Sequence, residues 1–385
     1  MNRNNIFIVA ACLILAACGG NNKSREANKF QDPAIVRICD LADRREGDSL
    51  IVFLGDSSAR LRYEAALACA SVQDSAAIQP LLRLLRDNDL IVRAAAAYAL
   101  GQTPGVSPDS LISALLLETD NTTRTNLFEA IGKRAMVPFS LPGYSISRNV
   151  VSPSVFMFLD SIKVRTEADL MGYGKAMYWL NYQGMTDPDL MNRMPYILQY
   201  AVGESKLYLA NAMIRHRAPV WFANNKDYIM NWLPAEKAAE VRIAIMNMIG
   251  AIGDDDARKV LLSRAISDSE DPRVRISAAM NLGRCENIVV DDLQPIISST
   301  EPHLAQICVE GLSAGLPHEQ ATRLVELCKT AGVPVRAAAL RILAKVAREE
   351  ALTQIKSEIE SSSASVYDQS FFIRAMGSCL GNEAL

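Results

Sequence analysis

An arginine returns every 31 residues early in the chain, at Arg62, Arg93 and Arg124. Its surroundings return with it. Three positions on stand Ala65, Ala96 and Leu127; seven on, Cys69, Leu100 and Ile131; eight on, Ala70, Gly101 and Gly132. The register comes back at Arg242, Arg275 and Arg336, with Ala305 filling a missing anchor and Ile249, Leu282, Leu312 and Leu343 seven positions on. A fixed period of this length admits few folds. It marks a supersecondary unit that cannot bury its apolar face alone and must stack on its neighbours.

Each anchor opens an Ala-rich stretch with apolar residues at +3, +4 and +7, one face of a 3.6-residue period. A second apolar helix is expected before it, at 78–85, 111–117, 260–266, 293–297 and 324–328. The joint between the two carries helix-start chemistry. Asp271-Pro272-Arg273-Val274-Arg275 puts Asp at the N-cap and Pro at the first helical position. Asp89 and Asp120 precede Arg93 and Arg124 in the same way, and an acid suits the positive end of a helix. Aromatic content is only 6%, and no β pattern is expected anywhere. The expected fold is all-α, an α-solenoid of about ten helix pairs, irregular in the middle, counting degenerate units near 174, 207 and 369.

The unit D-x-x-V-R-x-A-A-x-x-A-L-G, best seen in DNDLIVRAAAAYALG from Asp87 to Gly101, resembles the HEAT repeat. It is most similar to the bacterial subgroup named after phycobilisome lyases. The resemblance covers 31–137 and 236–385 and is poor between them. It implies a curved array that binds partners on its concave face. It also implies that the recurring arginine pairs with a turn acid between layers, rather than forming an anion ladder.

Residues 1–20 read MNRNNIFIVAACLILAACGG. Arg3 precedes an apolar run from Ile6 to Ala17, too short to cross a hydrocarbon core of ~30 Å and of the length of a signal-peptide core. The run ends Leu15-Ala16-Ala17-Cys18-Gly19, which resembles the bacterial lipobox. That resemblance implies cleavage before Cys18 and lipidation of its thiol. Gly19 in place of Asp implies an outer-membrane anchor facing the periplasm. The reading is then a signal peptide at 1–17, a polar tether at 18–30, repeats at 31–137, a Pro-rich linker or loop at 138–153, degenerate aromatic-rich repeats at 154–235 and repeats at 236–385. Cys39, Cys69, Cys285, Cys308, Cys328 and Cys379 fall mostly at apolar helix positions and form no C-x-x-C pair, so small buried core residues are expected.

The middle departs in composition. Residues 139–232 hold all three Trp, eight of eleven Tyr and eight of fourteen Met. Two readings stay open: bulky filling of irregular repeats, or a binding surface built from Tyr178, Trp179, Tyr196, Tyr200, Trp221 and Trp232. Arg215-His216-Arg217 beside them is expected to be a solvated helix end.

Catalytic constellations are absent from the pattern. The chain has no G-x-S-x-G, P-loop or G-x-G-x-x-G. Deoxyhypusine hydroxylases resemble this fold and hold iron with repeated His-Glu pairs; His318-Glu319 is the sole such pair here, so that activity is not carried over. Asp254-Asp255-Asp256 lacks the spacing of a calcium loop and is expected to cap a helix. Forty basic against 43 acidic residues, a net charge of −3, argues against nucleic acid. The expectation is a non-enzymatic, membrane-anchored scaffold that binds protein partners in the periplasm, without metal or cofactor. Alternatives are a module working with a prolyl isomerase, as in cyclophilin-linked HEAT lipoproteins that this chain resembles, and a tetrapyrrole lyase, which the signal peptide opposes.

Overall fold

Several helices begin where the sequence places an acid. Asp89 accepts from the backbone N–H groups of Ile91 and Val92, Asp120 from that of Thr123, and Asp271 from that of Arg273. The computed structural model describes residues 28–140, 147–184, 187–216, 218–299, 301–312, 316–361 and 365–380. The signal peptide, Cys18 and nearly all of the tether lie outside the described residues.

The chain divides into two compact units, one ending at Thr103 and one beginning at Pro104. The first holds α1 (Pro33–Asp43), α2 (Gly47–Phe53), α3 (Ala59–Val72), α4 (Ile78–Leu84) and α5 (Leu90–Gln102). There α1 and α2 pack on α3, α4 packs on α5, and α3 lies against α5.

The second unit starts with α6 (Pro108–Leu117) and α7 (Asn121–Arg134), followed by β1 (Met136–Ser140) and β2 (Ser147–Val151). It continues with α8 (Pro153–Ser161), α9 (Glu167–Tyr182), α10 (Pro188–Leu198), α11 (Gly203–Ile214), α12 (Pro219–Asn224), α13 (Lys226–Ala235) and α14 (Ala239–Ile252). It closes with α15 (Asp255–Ala265), α16 (Pro272–Leu282), α17 (Gln294–Ile297), α18 (Pro302–Gly311), α19 (His318–Leu327), α20 (Val333–Ala344), α21 (Arg348–Ser361) and α22 (Val366–Leu380). The second helices α7, α9, α11, α14, α16, α18, α20 and α22 pack in that order as one layer. The first helices α6, α10, α13, α15, α17, α19 and α21 each pack on their partner as the other layer, with α8 between α6 and α10. The fold is an all-α solenoid of helix pairs.

One expectation fails. The segment expected to be a Pro-rich loop without β structure contains an antiparallel hairpin, with Met136 opposite Val151 and Ser140 opposite Ser147. Prolines exclude a helix here but not an edge strand, and a two-stranded hairpin consists of edge strands.

The +7 residues Cys69, Leu100, Ile131, Ile249, Leu282, Leu312 and Leu343 are all buried. The small residues at +8 set the layer spacing. A Cβ on Gly132 would stand 2.6 Å from the Ala176 carbonyl oxygen, and one on Gly283 would collide with the Gly311 carbonyl. The six described cysteines are free thiols, and all but Cys39 are buried. Burial pushes Cys69 and Cys285 up to about 11, and Cys308 and Cys328 up to about 12, so they remain unreactive thiols.

The repeating arginine works as a clasp. Arg62 donates through Nη1 to the Asp56 and Ser57 carbonyls of its own turn, and through Nε and Nη2 to Asp87 in the next, at 2.7 and 2.8 Å. Its guanidinium holds the Asp87 carboxyl below the usual carboxylate range. Arg124 grips the Leu115 and Glu118 carbonyls and Asp169; Arg242 grips the Leu233 and Glu236 carbonyls and Glu270; Arg275 grips the Ala265 carbonyl and Glu301; Arg336 grips the Ala331 carbonyl and Glu358. In the irregular middle, other pairs serve: Glu167 accepts from Ser205, and Lys206 pairs with Glu236 at 3.1 Å. Where Ala305 replaces the arginine, the next turn, Lys329 to Gly332, carries no acid, and a cavity of about 290 Å³ lies beside Ala305, Ser298 and Gly332. An exposed Arg341–Glu310 pair spans that joint instead.

Two outcomes are expected. Leu282→Ala should cost about 2–5 kcal/mol in denaturant unfolding, because it empties a fully buried site; a loss under about 0.5 kcal/mol would place that side chain outside the core. Arg124→Met should cost about 3–5 kcal/mol by leaving Asp169 buried and unpaired, and adding Asp169→Ala should restore part of the loss. No recovery in the double variant would show that the clasp acts through its carbonyl contacts alone.

Candidate functional site

The sequence of α9 carries two faces. Gly172 and Gly174 lie where neighbours come close: a Cβ on the first would meet the Phe128 ring at 2.5 Å, and one on the second the Tyr208–Leu209 backbone at 2.9 Å. Lys175, Tyr178, Trp179 and Tyr182, at i, i+3, i+4 and i+7, form a stripe on one side of the helix. Tyr178 and Trp179 are half-buried and Tyr182 is exposed. Tyr178 and Tyr182 stack with centroids 6.3 Å apart, and both meet Trp179 edge-on.

Cations cover these rings. The Lys133 ammonium lies 4.7 Å from the Trp179 ring centroid, and Lys175 lies 5.1 Å from that of Tyr208 on α11. The Arg215 guanidinium lies 5.2 Å from Tyr178 and 5.9 Å from Tyr182. Such placements favour the cation through the negative face of the ring. Glu129 joins Lys133 and Lys175, at 2.7 and 3.1 Å. Burial pushes the Glu129 carboxyl up, but the two ammonium groups outweigh it and hold it below the usual carboxylate range.

Where α9, α11 and α14 end, a cavity of about 660 Å³ opens, lined by Tyr182, Arg215, His216, Phe222, Asn247 and Arg284 among others. His216 corrects the expected solvated helix end. It is buried, because the chain turns beyond α11 and packs the imidazole edge-on to Trp221 at 5.7 Å and beside Phe222 at 6.1 Å. Arg215 is exposed, as expected, and Arg217 lies outside the described residues. Burial pushes the imidazole down to about 4, so it is neutral at neutral pH. Among the described residues its buried Nδ1 and the buried Trp221 Nε1 have no hydrogen-bond partner. Arg284 donates to Asn281 at 3.1 Å, and buried Asn281 reaches Asn247 on the cavity wall at 3.4 Å.

The structure separates the aromatic residues singled out in the sequence. Tyr178 and Trp179 come together on the second-helix layer. Tyr196 on α10 and Tyr200 just beyond its end are exposed in the other layer, rings edge-on at 5.4 Å and hydroxyls 3.2 Å apart. Trp232, half-buried on α13, leans against Tyr228 at 6.3 Å. Trp221 is buried. Lys133, Lys175 and Arg284 escaped the sequence reading. The i, i+3, i+4, i+7 spacing could have found Lys175; Lys133 and Arg284 lie in regular repeats and carry no local signal.

The other candidates are structural. Asp254 caps α15 through the Ala257 N–H and pairs with Lys226, as does Asp256. His318 pairs with Glu350 at 2.9 Å. Among the described residues no group of three or more His, Cys, Asp or Glu could hold a metal ion, and no helix is long and apolar enough to cross a membrane.

Residues 47–132 match the family described as HEAT repeats. No curated protein matches the chain. Among solved structures, an engineered protein is 16% identical with a TM-score of 0.45, over 87% of this chain and 99% of its own. Human deoxyhypusine hydroxylase is 17% identical with a TM-score of 0.30, over 72% and 98%. Kap121p is 13% identical with a TM-score of 0.45, over 90% and 43%. At these scores the likenesses say nothing about what this chain does.

The buried imidazole makes stability depend on pH. Its folded value is about 4 against an ordinary 6.5, so the unfolded chain binds the extra proton between them. The stability is full above 6.5 and falls as pH drops toward 4, by up to about 3 kcal/mol. His216→Phe should lack that component when unfolding midpoints are compared across this range. Equal pH slopes in both proteins would place the imidazole in water.

Proposed function

We propose that this chain is a non-enzymatic HEAT-repeat scaffold, a lipoprotein held to the outer membrane through Cys18, that binds a protein partner in the periplasm. The observation that carries the binding role is the stripe Lys175, Tyr178, Trp179 and Tyr182 on α9, with Lys133 and Arg215 laid over its rings. Large rings of few rotamers, partly exposed and flanked by cations, are what interface centres use. Rings serving only as filler would be enclosed, as Trp221 is. The anchor rests on the sequence around Cys18, whose acyl chains would contribute about 0.8 kcal/mol per buried methylene.

Two measurements test this. Cys18→Ser should lose incorporation of labelled fatty acid and leave the membrane fraction; persistent labelling would remove the anchor. A photo-crosslinking residue at 179 in living cells should join the chain to a discrete protein, and Trp179→Ala should weaken that complex by about 2 kcal/mol with little change in melting. Trp221→Ala should instead cost about 3–5 kcal/mol of stability. No cross-link at 179, or a melting loss at Trp179 like that at Trp221, would return the stripe to core filling.

A further inference from the structure

The arginines that join repeats are neutralised. Arg62, Arg124, Arg242, Arg275 and Arg336 each face a carboxylate, and so do Arg258, Arg273 and Arg323. Arg215 and Arg284 differ. Neither has a carboxylate partner among the described residues, and both line the cavity at the ends of α9, α11 and α14, whose described wall includes no acid. Each stands just beyond a helix C-terminus, where the helix dipole favours a cation. That accounts for positive charge at each end, but not for two guanidinium groups meeting at one cavity.

Both groups are positioned rather than loose. Arg284 is moored to Asn281, which is itself buried and tied to Asn247 and to the Ser277 carbonyl. Gly250 makes room for that asparagine, since a Cβ there would meet its side-chain oxygen at 2.5 Å. Arg215 lies against Tyr178 and Tyr182, an arrangement that leaves the donors at the edge of its planar fork free. Ile214, Pro219 and Phe222 supply apolar wall between them.

We propose that this cavity, through Arg215 and Arg284, takes an acidic peptide segment of the partner, with carboxylates on the guanidinium groups and an apolar side chain against the wall that includes Phe222. The inference rests on the scaffold reading above and names the chemistry its partner must carry. Two features select a peptide over a phosphate. The volume lies within the range of sites that enclose small ligands, and a share of its wall is apolar. The cavity also continues through Tyr182 and Arg215 into the partly exposed stripe on α9, a path suited to an extended chain.

The test uses the full-length lipidated protein in detergent and a fluorescein-labelled peptide of glutamates interspersed with phenylalanine, read by anisotropy. The peptide should bind saturably and weaken with salt. Its counterpart with glutamine for glutamate should bind about tenfold more weakly or worse, as should the glutamate peptide to Arg284→Gln. Both arginines are exposed, so Arg284→Gln and Arg215→Gln should melt with the parent. Failure of the parent to bind the glutamate peptide, equal binding of both peptides, or equal binding by the Arg215→Gln/Arg284→Gln double variant would each overturn the proposal. Inorganic phosphate bound in place of the peptide would overturn it too, and would make the cavity a phosphate site. Cross-links from position 179 that persist without peptide binding would leave the scaffold reading standing. Absence of those cross-links in the parent would remove that reading whatever the peptide does.

Discussion

The repeat depends on one guanidinium placed to hold two things at once. It binds carbonyls that its own turn leaves without helix partners, and it reaches forward to a carboxylate in the next unit. Each half alone is weak. The turn contact fixes the direction of the side chain, and the forward pair then forms with little further loss of freedom. Where its carboxylate is largely enclosed, as Asp169 and Glu270 are, losing the arginine leaves a buried charge. Register between layers is therefore specified by electrostatics as well as by shape. The small residues at +8 do the complementary work, bringing backbones so close that no other residue fits at Gly132 or Gly283.

What could be read from the sequence was what repeats. Caps at Asp89, Asp120 and Asp271, core positions such as Leu100 and Leu282, and the arginine–acid pairing all follow from contacts between residues at fixed spacing. The hairpin at Met136–Ser140 and Ser147–Val151 does not repeat, is short and carries Pro138, so nothing in its composition separates it from a loop. The candidate site was half legible. The stripe on α9 has helical spacing, but the division of Tyr196 and Tyr200 from Tyr178 and Trp179 depends on which helix joins which layer. In the middle the arginine markers that would have told this are gone. Arg284 and Tyr182 line one cavity only because four layers stack, an arrangement that no local pattern encodes.

The irregular middle is not a failure of the repeat but a change in how its layers are joined. Glu167 with Ser205 and Lys206 with Glu236 replace the arginine clasp, with the acid now on the earlier helix in the first of them. Without a clasp arginine of their own, α9 and α11 place lysines and rings on the second-helix layer, and the turn after α11 folds His216 inward beneath Trp221 and Phe222. The same departure from consensus thus yields the partly exposed stripe, the buried imidazole and the cavity with its two unmatched arginines.

The substitution of Ala305 for an arginine has a mechanical meaning. A stack whose layers are all clasped bends as an elastic rod, sharing any strain along its length. Between α18 and α20 the arginine and its acid are both missing, a cavity takes their place, and an exposed ion pair spans the outer edge. Strain applied to the second unit concentrates where the restoring contacts are fewest. On that physics the joint is where the second unit should yield first under load.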